Sequence, residues 1–404
     1  MITEVEIEGF KSFGTPAEKI PLRNLNFLVG ANASGKTNFL SALKFLQNAV
    51  RQDIEYAANE VGGSLEVRNK LLRQRNEPKP VRIRIKLDTA VEFPLSKKST
   101  WKINSFEYEV ILDLRGQMNV PTIKSETIFA KLEHQGEKST FSLTRDALKV
   151  SITDPMSPRD GKINIPVPDQ ERGRLALGVG FFAPACVILK EEISRWRFYN
   201  ITPDIARQPY RETPDCDLGS SGENLAVILH KIEAAKDKGA SHLETLVNGL
   251  RGVVPGFKGI KTTRSPIEGK WAFQLSEEKI KGSINPFSAS DGTIRLLTLL
   301  VITTWMSRNA SLVAVEEPEN GIHPHLSEHI VKILKTASKT TQLLVTTHNP
   351  AFLDHLEPDQ VILCDKIQGF TKLRRASDVA EVESFRKHFD LGELWVQGTL
   401  GGIP

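Results

Sequence analysis

Lys36 and Thr37 close the stretch Gly30-Ala31-Asn32-Ala33-Ser34-Gly35-Lys36-Thr37-Asn38, whose spacing is G-x-x-x-x-G-K-[ST]. An amine and a hydroxyl behind a glycine-bearing loop suit a chain of phosphates. The glycines let backbone N–H groups turn inward on the anion, and a helix that starts where the loop ends points its positive end at it. Lys36 can then reach β- and γ-phosphates, while the Thr37 hydroxyl can ligate Mg²⁺. Two further residues suit the same chemistry. Glu316 and Glu317 follow the apolar run Leu312-Val313-Ala314-Val315 directly. One acid can hold Mg²⁺ through its water shell, and the next can orient and deprotonate an attacking water. The combination describes a nucleoside-triphosphate site.

Other residues carry weaker signals. Ser290 and Gly292, in Ser288-Ala289-Ser290-Asp291-Gly292-Thr293, open an apolar helix whose free N–H groups form a second anion site, although Ser and Asp there also serve as simple helix caps. His348 ends the apolar run Leu343 to Thr346, a position where a structural histidine is the ordinary occupant. His323, His325 and His329 have metal-like spacing, but Pro324 and the lack of a carboxylate in ligand geometry favour a surface cluster. Asp215-Cys216-Asp217 has the spacing of a two-metal nuclease pair, yet no apolar strand delivers it.

These residues need elements to hold them. Leu25 to Val29 forms a short buried strand before the glycine loop, and Phe39, Leu43, Leu46 and Val50 mark an amphipathic helix after it. Thr3, Val5 and Ile7 alternate with Glu4, Glu6 and Glu8, giving a strand with one apolar and one acidic face. From about Val81 to Phe141 a period of two predicts an antiparallel sheet, with 93–104 as a polar surface loop within it. Proline is frequent over 150–220, and the run Leu175 to Leu189 is expected as core strand and turn. Leu225, Ile228, Leu229 and Ile232, then Leu243, Leu246, Val247 and Leu250, mark two helices separated by a charged turn at 236–240. Beyond them, a strand at Trp271 to Leu275 precedes alternating helices and apolar strands up to Val361–Cys364, the pattern of a parallel sheet covered on both faces. No sustained heptads indicate a long coiled coil.

Composition adds bounds. The 404 residues are 40% hydrophobic and 25% charged, with a net charge of +4, which permits a basic patch without itself arguing for nucleic acid. The 3 cysteines are widely spaced, so neither a disulfide framework nor a Cys-based zinc site is expected. Without a charged-then-apolar leader or a run of the ~20 residues that span a bilayer, the expected setting is cytoplasmic, with no membrane partner.

The assembled motifs resemble the ATP-binding-cassette ATPases found in the heads of structural-maintenance-of-chromosomes (SMC) proteins and their short relatives. Ile7 to Phe13 (IEGFKSF) resembles the first strand and loop of those heads, and GANASGKTN their Walker A. FSASDGTIRLL resembles the signature motif, SLVAVEEPENGIHP the Walker B running into the D-loop, and LLVTTHNP the switch-histidine loop. The match covers about residues 1–50 and 284–365. Compact ATPases resembling overcoming-lysogenization-defect proteins and related phage-defence systems are the nearest kin it implies. The implied fold is an α/β P-loop NTPase of ABC/SMC-head type, with a parallel sheet core, an appended antiparallel sheet and a helical insertion. Residues 1–145 would form the N-terminal lobe, 146–270 the insertion and 271–404 the C-terminal lobe.

The resemblance also implies roles. ATP and Mg²⁺ are the cofactors, with Gly30, Asn32, Ser34, Gly35, Lys36, Thr37 and Asn38 around the phosphates. Thr37 and Glu316 would hold the metal, and Glu317 would be the catalytic glutamate. Ser290 and Gly292 would contact the γ-phosphate of a facing protomer, His348 would sense it, and Glu319, Asn320 and Gly321 would form the D-loop. Glu316 departs from the usual Asp by one methylene, so the shorter acid is expected to be tolerated or to raise turnover. The glutamine loop is not placed; Gln117 and Gln135 are its candidates. The implied function is an ATPase that forms an ATP-sandwich homodimer and couples it to an effector subunit (a nuclease or toxin) or to DNA, in anti-phage defence. The alternatives are a scaffold that barely hydrolyses ATP and holds a toxic effector inactive, and a DNA-repair ATPase. A transporter cassette is disfavoured by IEGFKSF and the inserted strands. Near the C-terminus, Leu391, Leu394, Trp395, Val396, Leu400 and Ile403 among glycines suggest an intersubunit contact anchored by Trp395, the alternative being packing on the chain's own sheet.

Overall fold

The computed structural model describes residues 1–72, 80–96, 99–113, 121–156, 162–179, 183–214, 216–235, 242–380 and 382–401. At its centre is a 6-stranded sheet in the order Trp196–Tyr199, Leu312–Glu316, Gln342–Thr347, Leu25–Val29, Val361–Ile367, Phe370–Arg375. All neighbours are parallel except the last pair. Its strands are apolar because both faces are covered, and alternate residues serve different cores. Leu28, Leu312, Ala314, Leu344, Ile362 and Cys364 enter one; Phe27, Val29, Val313, Val315, Val345 and Leu363 enter the other.

The first core lies between this sheet and an antiparallel one. Helix Lys36–Arg51 fills the gap, burying Phe39, Leu43, Leu46 and Val50 together with Leu40, Ala42 and Phe45. Its one central amide, Gln47, is also buried and donates to the carbonyls of Ile193 (3.0 Å) and Trp196 (2.8 Å), so its polarity is satisfied. The antiparallel sheet has 8 strands, beginning with Glu18–Pro21, Ile2–Glu8, Val81–Ser96 and Ser99–Asp113. Val81, Ile83, Ile85 and Leu87 face inward with Phe106, Tyr108, Val110 and Leu112. On the opposite face the acidic residues of the first strand meet cations: Glu4 lies 2.8 Å from Lys19 and 2.9 Å from Lys86, and Glu6 lies 3.1 Å from Arg84. A buried acid, Glu126, joins this sheet to the following segment. It accepts from the N–H groups of Ala176 (2.6 Å) and Leu177 (3.0 Å) and from the Tyr108 hydroxyl (3.0 Å).

The second core holds helices Leu225–Ala234, His242–Arg251, Asp291–Thr304 and Ser327–Ala337, with a 3-stranded sheet of Tyr210–Arg211, Lys270–Glu277 and Phe257–Arg264 at its edge. The two helices expected over 225–250 are both present; the charged turn at 236–240 lies outside the described residues apart from its flanks.

Three expectations fail. Residues 93–104 are not a loop: Phe93 pairs with Trp101 and Pro94 with Thr100 across a hairpin, and both aromatics rest against the first core. Residues 176–194 are helical, as Ala176–Val179 and Pro184–Ser194, because Pro184 sits in a first helical turn where its missing N–H costs nothing. The C-terminal apolar residues are core residues. Leu391, Leu394, Trp395 and Leu400 are all buried in the second core, where helix Leu391–Val396 packs on Pro350–Leu353 and the Gly392 N–H donates to Asp354 Oδ1 at 2.9 Å. Ile403 lies outside the described residues. Trp395→Ala is therefore expected to lower the unfolding free energy by about 3–5 kcal/mol, measured by denaturant titration. A loss below about 1 kcal/mol would place the indole outside the core.

Candidate functional site

The parallel strands end together at one rim. Val29 is level with Thr347, and Glu316 with Thr346, so the glycine loop, the acid pair and His348 leave adjacent strand ends. In open parallel sheets ligands collect at this rim.

The loop Gly30–Gly35 is shaped by close backbone contacts. A Cβ at Gly30 would lie 2.3 Å from the Cys364 carbonyl oxygen. At Gly35 the backbone is left-handed (φ +113°) and a Cβ would lie 2.0 Å from Thr371 Oγ1. Lys36 is almost fully buried, and its ammonium donates to the carbonyls of Gly30 (2.7 Å) and Ala31 (2.9 Å). Burial pushes its pKa down, opposed by Cys364, Glu317 and Glu319. Ser34 is buried and its Oγ has no partner, while Asn32 is exposed. Asn38 turns away from the loop: its Nδ2 donates to Ser12 Oγ at 2.7 Å, Ser12 Oγ lies 2.7 Å from Thr371 Oγ1, and Thr371 Oγ1 donates to the Ser34 carbonyl at 2.8 Å. Since Thr371 gives its only proton to Ser34, the Ser12 hydroxyl must donate to Thr371, and the chain runs one way from Asn38 to the loop.

Opposite the loop, Thr37 Oγ1 donates to Glu316 Oε2 at 2.7 Å. The longer acid thus reaches the threonine directly. Burial pushes the Glu316 pKa up, the Thr37 hydrogen bond pulls it down, and Glu317 pushes it up further. A hydroxyl and a carboxylate side by side are hard oxygen donors of the kind Mg²⁺ selects, and the glycine cradle matches a phosphate, so the residues fit both groups.

Glu317 has a left-handed backbone (φ +42°), a conformation that costs a non-glycine residue about 1–3 kcal/mol. Its N–H donates to Thr346 at the carbonyl (3.0 Å) and Oγ1 (3.2 Å). The kink carries the carboxylate to Asn320 Nδ2 (2.8 Å from Oε2) and to His348 Nδ1 (3.2 Å from Oε1). Beside them Glu319 is buried, accepts from the Thr347 hydroxyl through Oε1 and leaves Oε2 without a partner. Its pKa is pushed up, chiefly by burial.

Lys36, Thr37, Glu316, Glu317 and His348 therefore come together. Ser290 and Gly292 do not join them: among the described residues neither has a hydrogen bond to the loop. Ser290 instead caps helix Asp291–Thr304, accepting from the Thr293 N–H at 3.1 Å. Gly292 faces the turn after Glu317, where a Cβ would lie 2.9 Å from the Gly321 carbonyl oxygen. Gln135 occupies a hairpin turn at φ +52° in the antiparallel sheet, away from the rim of the central one; Gln117 lies outside the described residues. His323 and His325 meet at 2.6 Å through their Nδ1 atoms, whereas His329 lies against Gly252. Asp217 is paired with Arg197 at 3.0 Å, and Asp215 is outside the described residues. Thr371 and the Asn320–Glu317 contact carry no sequence signal for these roles. Ser12 falls within IEGFKSF, which hinted at the place but not at the bond.

A cavity of about 450 Å³ opens beside the loop, lined by Lys11, Ser12, Asn38, Arg68, Asn69 and Lys366 among others. It offers room next to the phosphate cradle for the rest of a nucleotide.

Fold and site together define a P-loop ATPase of the SMC-head-like AAA class. The family described as "AAA domain, putative AbiEii toxin, Type IV TA system" matches residues 25–354, and the chain belongs to it. A curated relative, "Retron Ec83 probable ATPase" of Escherichia coli, is 23% identical over 177 residues, 41% of this chain and 32% of that protein. The match thus spans about a third of the relative's length. Two solved structures share the fold. An SMC head bound to the C-winged helix domain of ScpA superposes with a TM-score of 0.54 at 14% identity, over 92% of this chain and 97% of that one. An SMC head with an extended coiled coil bound to the C-terminal domain of ScpA, from Pyrococcus furiosus, gives 0.51 at 13% identity, over 96% and 99%.

Because Glu316 already reaches Thr37, Glu316→Asp is expected to break that bond: the carboxylate retreats by about 1.5 Å, the length of one C–C bond. Nucleotide-dependent Mg²⁺ affinity should fall by about tenfold, read by calorimetry. Unchanged or tighter binding would return the advantage to the shorter acid.

Proposed function

We propose that this chain is a Mg²⁺-dependent ATPase that closes as a homodimer around two ATP molecules and passes that state to an effector subunit. The observation that carries the reading is the split of its candidate residues between two places. Phosphate-, metal- and water-directed groups share one rim, whereas the Ser290 cap and its helix N-terminus stand apart from it. A site divided in this way is completed by a second copy, whose capped helix end would meet the γ-phosphate.

In this reading Lys36 and the loop N–H groups hold the phosphates. Thr37 and Glu316 hold Mg²⁺, which when bound neutralises charge on the β- and γ-oxygens. Glu317, kinked toward the site, orients water and accepts its proton; Asn320 fixes the carboxylate, and His348 senses the γ-phosphate from its other side. The lobes divide at about 145 and 270.

Support for an effector comes from the family description, which names a toxin system, and from the SMC heads solved with ScpA domains bound. DNA is an alternative partner, and the defence setting follows the resemblance to phage-defence ATPases. Among the described residues no helix is long and apolar enough to cross a membrane, and we place the protein in the cytoplasm.

Glu317→Gln should retain ATP and accumulate as a dimer, because the amide cannot take the water's proton. Ser290→Arg in that background should bind ATP as a monomer. Light scattering with and without ATP checks both, and an ATP-independent mass for Glu317→Gln would reject the sandwich.

A further inference from the structure

Arg207 is the most heavily engaged cation outside the rim. It follows helix Pro203–Ala206, which leaves strand Trp196–Tyr199. Its side chain is only 5% exposed. Nε donates to the Pro286 carbonyl at 3.0 Å, and Nη2 to the Ala289 carbonyl at 2.9 Å and to Asp291 Oδ1 at 2.5 Å. Nη1 donates to Asp204 Oδ1 at 2.7 Å. One guanidinium therefore grips both limbs of the turn that delivers Ser290. A buried charge with this many partners is there to fix geometry, since a single misplaced acceptor would leave it uncompensated.

The grip has a counterpart on the other side of the helix start. Gly292 presses on the Gly321 carbonyl, so Ser290 and its helix end are held between Arg207 and the turn that follows Glu317. Arg207 is also wired to the rim. Trp196–Tyr199 is the strand beside the acid-bearing one, with Tyr199 level with Val315. Behind the short helix, a Cβ on Gly222 would lie 3.0 Å from Ala206 Cβ and 3.5 Å from Thr298 Cγ2, so this segment packs against the Ser290-capped helix without slack.

We propose that Arg207 is the positioning residue that sets the Ser290–Gly292 segment for contact with a facing protomer, tying its placement to the strand next to Glu316. The role rests on the ATP-sandwich reading. Arg207 touches no nucleotide itself; it acts through the carbonyls of Pro286 and Ala289 and through Asp291. Lysine cannot replace it, because an ammonium lacks the planar fork that reaches acceptors on two limbs at once.

The test uses the full chain with Glu317→Gln as parent. Arg207→Met, Arg207→Lys and Asp291→Ala are each added, and a fluorescent ATP analogue is titrated at low protein concentration. ATP-driven dimerisation is followed by sedimentation velocity. Monomer affinity for the analogue should stay within about twofold of the parent for all three, while the dimerisation constant weakens at least about tenfold for Arg207→Met. Arg207→Lys should recover little of it. A general structural defect would instead lower melting temperature and monomer affinity together. If Arg207→Met does not fold, Asp291→Ala decides, since it removes an exposed carboxylate and should still weaken dimerisation. Parental dimerisation in Asp291→Ala and in whichever Arg207 variants fold overturns the role. If the parent itself stays monomeric with ATP, the sandwich reading falls first and takes this role with it.

Discussion

Burial of both faces of the central parallel sheet is the constraint on which the rest of the molecule depends. A strand covered on both sides has no place for a charge along its length, so Leu25–Val29, Leu312–Glu316 and Gln342–Thr347 carry their functional polar groups at or beyond their ends. Parallel pairing then brings those ends to one rim. Thr37, Glu316, Glu317 and His348 meet there although they are hundreds of residues apart in the chain. The antiparallel sheet and the helices matter to the site chiefly because they supply this double cover.

Within the rim, precision comes from bracing rather than from the glycine loop itself. Its glycines permit the turn but also leave it free to move. The one-way chain from Asn38 through Ser12 and Thr371 to the Ser34 carbonyl takes that freedom away. The acid pair is braced in a complementary manner. Glu316 sits at the end of its strand against Thr37, while Glu317 is turned by a strained φ toward Asn320 and His348. Two adjacent carboxylates are thereby pointed at different tasks, and the strain is held by the bonds that Thr346 makes to the Glu317 N–H.

The placement of Ser290 shows the same logic at longer range. A helix cap could sit anywhere a helix begins; here a buried arginine on one side and a glycine contact on the other define where it stands. The edge strand Trp196–Tyr199 connects that placement to the acid-bearing strand. The segment over 196–207, proline-bearing and poor in periodic signal, is in this way a structural link between the two halves of the candidate site.

What the sequence determined by itself was whatever depends on local spacing. The glycine loop between a strand and a helix, the acids after an apolar run, and the Ser290 cap are each legible because neighbouring residues cause them. The period-two runs at Val81–Leu87 and Phe106–Leu112 announced their sheet for the same reason. Only the tertiary structure decided the rest. Phe93 and Trp101 continue a hairpin because they stabilise each other across it, although the stretch between them is polar. Trp395 is as apolar on an interface as in a core, and only the groove offered by Pro350–Leu353 chose the core. Thr371 and Arg207 sit in segments with no motif, because hydrogen-bond partners far away in the chain can be supplied by any residue that the fold brings within reach. Periodicity and spacing record what a residue's neighbours in sequence require; these residues answer to neighbours in space.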